Sequence, residues 1–353
     1  MSACMSNLLT IMPMTMDNRK KILITGASGF IGGFIVSRAL DEGMEVWAAV
    51  RGSSSRECLS DPRINFICLD LSDPAGLEAA LSEHTARHGR WDIVVHNAGV
   101  TKCRRRDDFM RINRDATRHL AGTLVRLGAV PDQFVYMSTL SVFGPIHERD
   151  GLAYTEDDPR CPDTAYGRSK AEAEDYLASL EGFPYVIIRP TGVYGPHEHD
   201  YYLMARSVAA HLDFSAGLRP QLLTFIYVRD LVEAIFLAVA RGVKRRAYNV
   251  ADGQTYDATT FSRLLQAELG NPRVVRFACP LPLLRVISWV SEHVAAMRGR
   301  AATLNTDKYR IMRQRNWQCD ITRLRTELGF EPRYLLPRGV KETVAWYKAN
   351  GWL

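Results

Sequence analysis

Apolar positions in the first half of the chain come in short unbroken runs, without alternation with polar ones. Such runs stand at Lys21–Thr25, Glu45–Val50, Ile64–Leu69, Asp92–Val95, Gln133–Ser138 and Tyr185–Arg189. They are rich in β-branched residues and too short for buried helices, so they predict strands covered on both faces. Between them, helical spacing predicts helices over Phe30–Glu42, Pro74–His88, Asp107–Leu127 and Thr164–Leu180. Strand–helix alternation of this kind predicts an α/β fold built on a doubly wound parallel Rossmann sheet, with ligands held beyond the carboxyl ends of the strands.

After Pro190 the pattern loosens. Tyr201–Leu212 reads as a helix, Phe225–Ala240 as a strand running into a helix, and Ala247–Val250 as one more buried strand. From Tyr256 to Leu353 helices mix with Pro-rich turns and the βαβ rhythm is lost. The expected organisation is a Rossmann domain of residues 21–190 plus about 225–251. A smaller mixed C-terminal substrate domain follows from residues 191–224 plus 252–353, and residues 1–20 are expected to form a disordered arm.

Composition narrows the function classes. A formal charge of +6 over 353 residues is mild, so no nucleic-acid partner is expected. Arg104-Arg105-Arg106 is followed at once by Asp107-Asp108, which reads as a solvated helix entry or as a rim for an anionic substrate. Seven cysteines without paired spacing suit reduced thiols and a cytoplasmic protein. No stretch reaches the ~20 apolar residues of a membrane span, the Leu281–Met297 stretch being broken by Arg285, Glu292 and His293. His197-Glu198-His199-Asp200 has no second ligand cluster in sequence view, so no metal is expected.

Chemistry enters at Gly26-Ala27-Ser28-Gly29-Phe30-Ile31-Gly32, between the first strand and the first helix. Glycine belongs where a backbone turns tightly or approaches a pyrophosphate, and the helix start offers free N–H groups to phosphate. Dinucleotide binding through Gly26, Ser28, Gly29, Phe30, Ile31 and Gly32 is therefore expected. No carboxylate ends the second strand to take a ribose 2′-hydroxyl. Arg51 and the serines after it suit a 2′-phosphate instead, so NADP(H) is favoured over NAD(H). Tyr166 and Lys170, four apart, share one face of the Thr164–Leu180 helix. A phenol has an ordinary pKa of about 10 and is a poor base at neutrality; an ammonium one turn away, together with the positive charge of an oxidised nicotinamide, is expected to lower it.

Thr-Gly-Ala-Ser-Gly-Phe-Ile-Gly (25–32), Asp70-Leu71, His96-Asn97-Ala98-Gly99 and Asn113 occur here in order. They are followed by Tyr166-Gly-Arg-Ser-Lys170, Arg189-Pro-Thr-Gly-Val-Tyr-Gly-Pro196, Phe225-Ile-Tyr-Val-Arg-Asp230 and Asp320 with Glu327-Leu-Gly-Phe330. This series closely resembles the extended short-chain dehydrogenases/reductases from Lys21 to the C-terminus. The asparagine of His96-Asn97-Ala98-Gly99 is more like the single-domain branch. The resemblance implies that Asp70, with Leu71, holds the adenine, that Ala98 and Gly99 line the cofactor groove, and that Pro190 and Val193 lie near the nicotinamide. It also implies Thr139 as the catalytic hydroxyl, with Ser138 the fallback, Asn113 shaping the helix beneath the site, Lys170 gripping the nicotinamide ribose, and a homodimer.

The resemblance bears on the substrate as well. Dehydratases of this kind follow the catalytic Thr with Asp-Glu, whereas Leu140-Ser141 stand here. UDP-galactose 4-epimerases place an arginine where Leu223 stands, although Arg219 is nearby. The apolar Pro280–Leu284, Val286–Trp289 and Trp317 resemble the steroid-dehydrogenase and dihydroflavonol-reductase branch, as a hydrophobic pocket or as core. Three readings stay open: a dehydrogenase or reductase acting on a secondary alcohol or ketone, a nucleotide-sugar epimerase with tightly bound NAD, and a non-catalytic dinucleotide-binding regulator.

Overall fold

The computed structural model describes residues 19–298, 302 and 304–353. The expected N-terminal arm, apart from residues 19 and 20, lies outside these. Seven parallel strands form the central sheet: Lys21–Thr25, Glu45–Val50, Asn65–Cys68, Ile93–His96, Gln133–Met137, Tyr185–Pro190 and Arg246–Val250. Their spatial order runs seventh, sixth, fifth, fourth, first, second, third. Ile22, Leu23 and Ile24 are all without exposed surface, as unbroken apolar strands covered on both faces must be.

One face of the sheet packs on the helices Phe30–Asp41 and Val228–Ala240; the other packs on Pro74–His88, Ala116–Arg126 and Ala165–Ser179. Strand order reverses between the first and fourth strands, where Thr25 lies level with His96. A crevice for a ligand opens at such a reversal. A third core, built on Tyr194, Phe225, Tyr227, Phe261, Leu336 and Val340, gathers most of the remaining chain.

Two elements depart from the sequence reading. The helix expected over Asp107–Leu127 is divided into Arg106–Phe109, a π-helical stretch Met110–Asp115, and Ala116–Arg126. The wider turn accommodates Asn113, which is buried and bonded across to another segment. The helix expected to reach Leu212 is His199–Ala209, and Leu212 instead opens a strand, Leu212–Ala216, paired in parallel with Val275–Cys279.

Candidate functional site

Gly26 takes a left-handed φ of 68°, and a Cβ there would lie 2.9 Å from the backbone of Ala98. A Cβ on Gly32 would meet the Gly26 carbonyl oxygen at 2.0 Å. The loop is thus folded tightly against both the next helix and the fourth strand. Gly29 heads the helix Phe30–Asp41, exposed and without a side-chain cap, so its N–H groups are open to an anion. Phe30 packs edge-on to Phe34, and Ile31 leans on the core. These features fit the pyrophosphate of a dinucleotide, with half-buried Ser28 beside them.

A one-way chain of hydrogen bonds runs under this crevice. Ala98 N–H donates to Thr25 Oγ1 (3.1 Å), which lies 2.7 Å from His96 Nδ1. His96 Nε2 lies 3.0 Å from Thr117 Oγ1, which in turn donates to the Asn113 carbonyl at 2.7 Å. Because Thr117 spends its proton on that carbonyl, it must accept from His96 Nε2–H. His96 Nδ1 then accepts from Thr25. Burial drives the imidazole down to about 3, which keeps it in this neutral form. Asn113 continues the chain: its Oδ1 accepts from Val100 N–H (2.8 Å), and its Nδ2 donates to the Val100 carbonyl (3.1 Å) and to Ser169 Oγ (3.0 Å).

The helix Ala165–Ser179 brings Tyr166, Lys170 and Glu174 to one stripe. Lys170 is only 3% exposed; its Nζ donates to the Met137 carbonyl at 2.7 Å and sits 4.8 Å from the centre of the Tyr136 ring. Burial lowers its ammonium to about 8, against the pull of Glu174, which raises it. A Cβ on Gly99 would come within 3.1 Å of that Nζ and 3.0 Å of Asn113 Oδ1, so only glycine leaves this pass open. Thr139, extended just beyond the fifth strand, accepts from Ser141 N–H, and its hydroxyl lies close enough to the Tyr166 phenol to favour the phenolate. The structure therefore brings Thr139, Tyr166, Lys170, Asn113 and Gly99 together. Ser138 is committed elsewhere: its buried hydroxyl donates to Glu174.

Burial pushes Tyr166 up to about 12, and only the Thr139 hydrogen bond acts the other way. The Lys170 ammonium is turned to the Met137 carbonyl.

At the outer end of the crevice Asp70 is exposed and accepts from Ser72 N–H (2.9 Å) and Oγ (2.6 Å). Those bonds, with the Arg51 charge, hold its carboxyl below the usual range. Exposed Arg51 thus faces the same corner, and the Leu71 carbonyl meets His119 Nδ1 at 2.9 Å. Pro190 ends the sixth strand level with Val250, and Val193 is level with Ile226.

Two contributors escaped the sequence. Asp307, 6% exposed, accepts at Oδ2 from Ala165 N–H (2.8 Å) and Tyr166 N–H (3.3 Å), so it caps the Tyr166 helix from 141 residues away. No local pattern signals this. Glu174, 1% exposed, binds Ser138, Arg189 and Arg160. Its four-residue step from Lys170 was the available signal. Of the residues once weighed for a metal, Glu198 caps its own helix, Asp200 pairs with Lys102 and Lys308, and His197 stacks near Trp346. Arg105 opens the Arg106–Phe109 helix, its N–H donating to Asp108.

Comparison with known proteins agrees with this architecture. The model of the NAD dependent epimerase/dehydratase family matches residues 22–251. A dTDP-glucose 4,6-dehydratase of Actinoplanes sp. is 27% identical over 355 residues, covering 94% of this chain and 98% of that protein. An uncharacterized Escherichia coli protein, YbjS, is 25% identical, with 94% and 98% covered. Among solved structures, the dTDP-glucose 4,6-dehydratase DesIV of Streptomyces venezuelae, with NAD bound, superposes with a TM-score of 0.74 at 24% identity, covering 94% of this chain and 98% of its own. Thermotoga maritima UDP-glucose 4-epimerase, with UDP-glucose, gives 0.73 at 22%, covering 94% and 99%. This chain belongs to the NAD-dependent epimerase/dehydratase family of enzymes, within the extended short-chain dehydrogenases/reductases.

Proposed function

We propose that the chain is an oxidoreductase that exchanges hydride between NAD(P) and the carbinol or carbonyl carbon of a small molecule, with Thr139, Tyr166 and Lys170 as its reacting group. Residues 191–224 and 252–353 hold the substrate over the Rossmann sheet. The observation that carries the reading is the convergence of Tyr166, Thr139 and the buried Lys170 beside Gly99, at the reversal of strand order.

Gly26, Ser28, Gly29 and the helix start would hold the pyrophosphate, Asp70 and Leu71 the adenine end, and Pro190 and Val193 the nicotinamide end. When bound, the dinucleotide supplies the hydride or takes it. The protein's part is the proton. A phenol near 12 is protonated at neutral pH and so is set to donate to an alkoxide oxygen as a ketone is reduced. Thr139 Oγ1 positions that oxygen, and Lys170 places a positive charge behind it while it keeps its ammonium. Arg51, exposed at the end of the second strand, favours NADP(H) by pairing with a 2′-phosphate.

Within the family, the chain's own residues favour simple reduction or oxidation. Leu140, buried, and Ser141 follow Thr139, so the acid–base pair for eliminating water is missing from that position. Leu223 pairs with Tyr256 in a short antiparallel ladder and offers no charge to a diphosphate.

Purified protein is tested by titration with NADPH and NADH, then by turnover of ketones and nucleotide sugars. NADPH is expected to bind reversibly, Arg51→Ala to weaken it about tenfold while sparing NADH, and Tyr166→Phe to retain binding and lose turnover. Stoichiometric copurified NAD with sugar epimerisation would refute the reductase reading. Full activity of Tyr166→Phe would refute the site.

A further inference from the structure

The helix Leu281–Met297 turns an apolar face outward. Leu283, Val286, Ile287, Val290 and Met297 follow helical spacing along one stripe, and all are exposed, Val286 by 58%. Trp289 beside them is 56% exposed, while Leu284 and Ser288 hold the inner face. These side chains stand largely outside the core, and Leu281, Pro282, Val286 and Trp289 line an open apolar groove, the pocket alternative that the sequence allowed. Trp317 is the exception, being partly buried against the sheet core.

The neighbouring strand pair extends the patch. Leu212 lies level with Val275 and Phe214 with Phe277; all four are exposed, and the two phenylalanine rings stack at 5.7 Å. Leu281 packs over Gly217 and joins helix to strands. Apolar surface of this extent marks a docking face.

Charge decides what docks. Segments 210–220 and 273–298 carry Arg219, Arg273, Arg276, Arg285 and Arg298, every one exposed. Their two acids are engaged: buried Asp213 accepts from Ser262 and pairs with Arg276 (3.3 Å), and Glu292 accepts from Thr306, which leaves Arg219, Arg273, Arg285 and Arg298 to charge the face. A second copy of this chain, meeting the face through a two-fold axis, would set these four arginines against four. The occupant must be apolar and anionic together.

Two adjoining hollows open beside the helix. An apolar groove of about 500 Å³ runs along Leu281, Pro282, Val286 and Trp289. A polar cavity of about 450 Å³ is lined by Arg168, Arg285, Arg310 and Arg313, with Asp163 its only acid. Arg285 and Tyr309 border both. Phosphate beside acyl chain is the chemistry that fits such a pair.

We infer that this face docks on the surface of a bilayer containing anionic phospholipid, with Leu283, Val286, Ile287 and Trp289 entering the headgroup boundary and the arginines pairing with phosphates. No helix among the described residues is long and apolar enough to cross a membrane, and the attachment inferred is peripheral. An acidic protein partner is less well matched, since an apolar groove adjoining an arginine-lined cavity fits an acyl chain beside its phosphate. The inference does not depend on the reaction proposed above.

The test is flotation of the full chain with vesicles of phosphatidylcholine alone or mixed with phosphatidylglycerol. Binding to the mixed vesicles only, weakened by salt, is expected. Val286→Glu with Trp289→Glu should abolish it, and Arg285→Ala with Arg298→Ala should weaken it about thirtyfold. Both variants should keep the thermal midpoint and NADPH affinity of the parent, since every altered side chain is exposed. No binding to anionic vesicles would overturn the inference, as would equal binding to neutral ones. It would also fall if the face instead formed a dimer dissociated by the glutamates, or held only a soluble acidic protein.

Discussion

Glu174 is the residue through which the stability of the fold and the chemistry of the site can be perturbed together. Its carboxylate accepts from Arg189 Nε (3.1 Å) and Nη2 (2.7 Å), from Arg160 Nη1 (3.1 Å) and from Ser138 Oγ. Arg189 is 5% exposed and its Nη1 already lacks a partner. Replacing Glu174 by Gln keeps the shape and removes the charge, leaving a buried guanidinium uncompensated. Breaking a buried pair on one side costs about 3–5 kcal/mol. Arg160 is nearly a third exposed, so its share is small, and about 3–4 kcal/mol is expected, nearly all from Arg189.

The same substitution reaches Lys170. Glu174 raises the Lys170 ammonium against burial, so its loss lets that group fall below about 8. If the charged form serves the reaction, activity declines as pH rises through the Lys170 pKa, and the limb near 8 moves to lower pH in Glu174→Gln. Urea unfolding at neutral pH and a pH–rate profile with NADPH measure the two effects. Glu172→Gln is the control: its partner Arg114 lies near the surface, and a loss below about 1 kcal/mol with an unmoved limb is expected. A stability loss below about 1 kcal/mol in Glu174→Gln, with the limb unmoved, would refute this account of the network.

Two further outcomes follow from the hydrogen-bond chains. His96 is held neutral by burial, with a pKa of about 3 against 6.5 when unfolded, so the unfolded chain binds the extra proton between those values. Stability should be complete above pH 6.5 and fall by about 1.4 kcal/mol per unit below it, and His96→Asn should flatten that slope in denaturation measured from pH 7 to 4. Asp307→Ala removes the carboxylate that caps the Tyr166 helix; a loss of about 1 kcal/mol in unfolding is expected, with turnover falling more than cofactor affinity.

How far the sequence could be read depended on the distance over which each signal is written. The strands were legible because Ile22-Leu23-Ile24 and Val94-Val95 must be buried on both faces, a demand each run states by itself. Tyr166 and Lys170 were legible because one helical turn puts them on one face. The π turn at Met110–Asp115 was not, because its cause is the pairing of Asn113 with Val100, thirteen residues back and in a loop without periodicity. The direction of the Lys170 ammonium was not legible for a related reason. Spacing along the helix places an ammonium beside the phenol, but the Met137 carbonyl, supplied by another strand, decides where that ammonium points. Asp307 is the extreme case: the carboxylate that joins Thr164 in capping the Tyr166 helix arrives from a segment no local pattern connects to it. The site is therefore assembled at two levels. A local scaffold presents the phenol and the amine, and long-range contacts tune them, so substitution of Glu174 is expected to change how the amine titrates, and substitution of Asp307 how fast the site turns over, with both groups left in place.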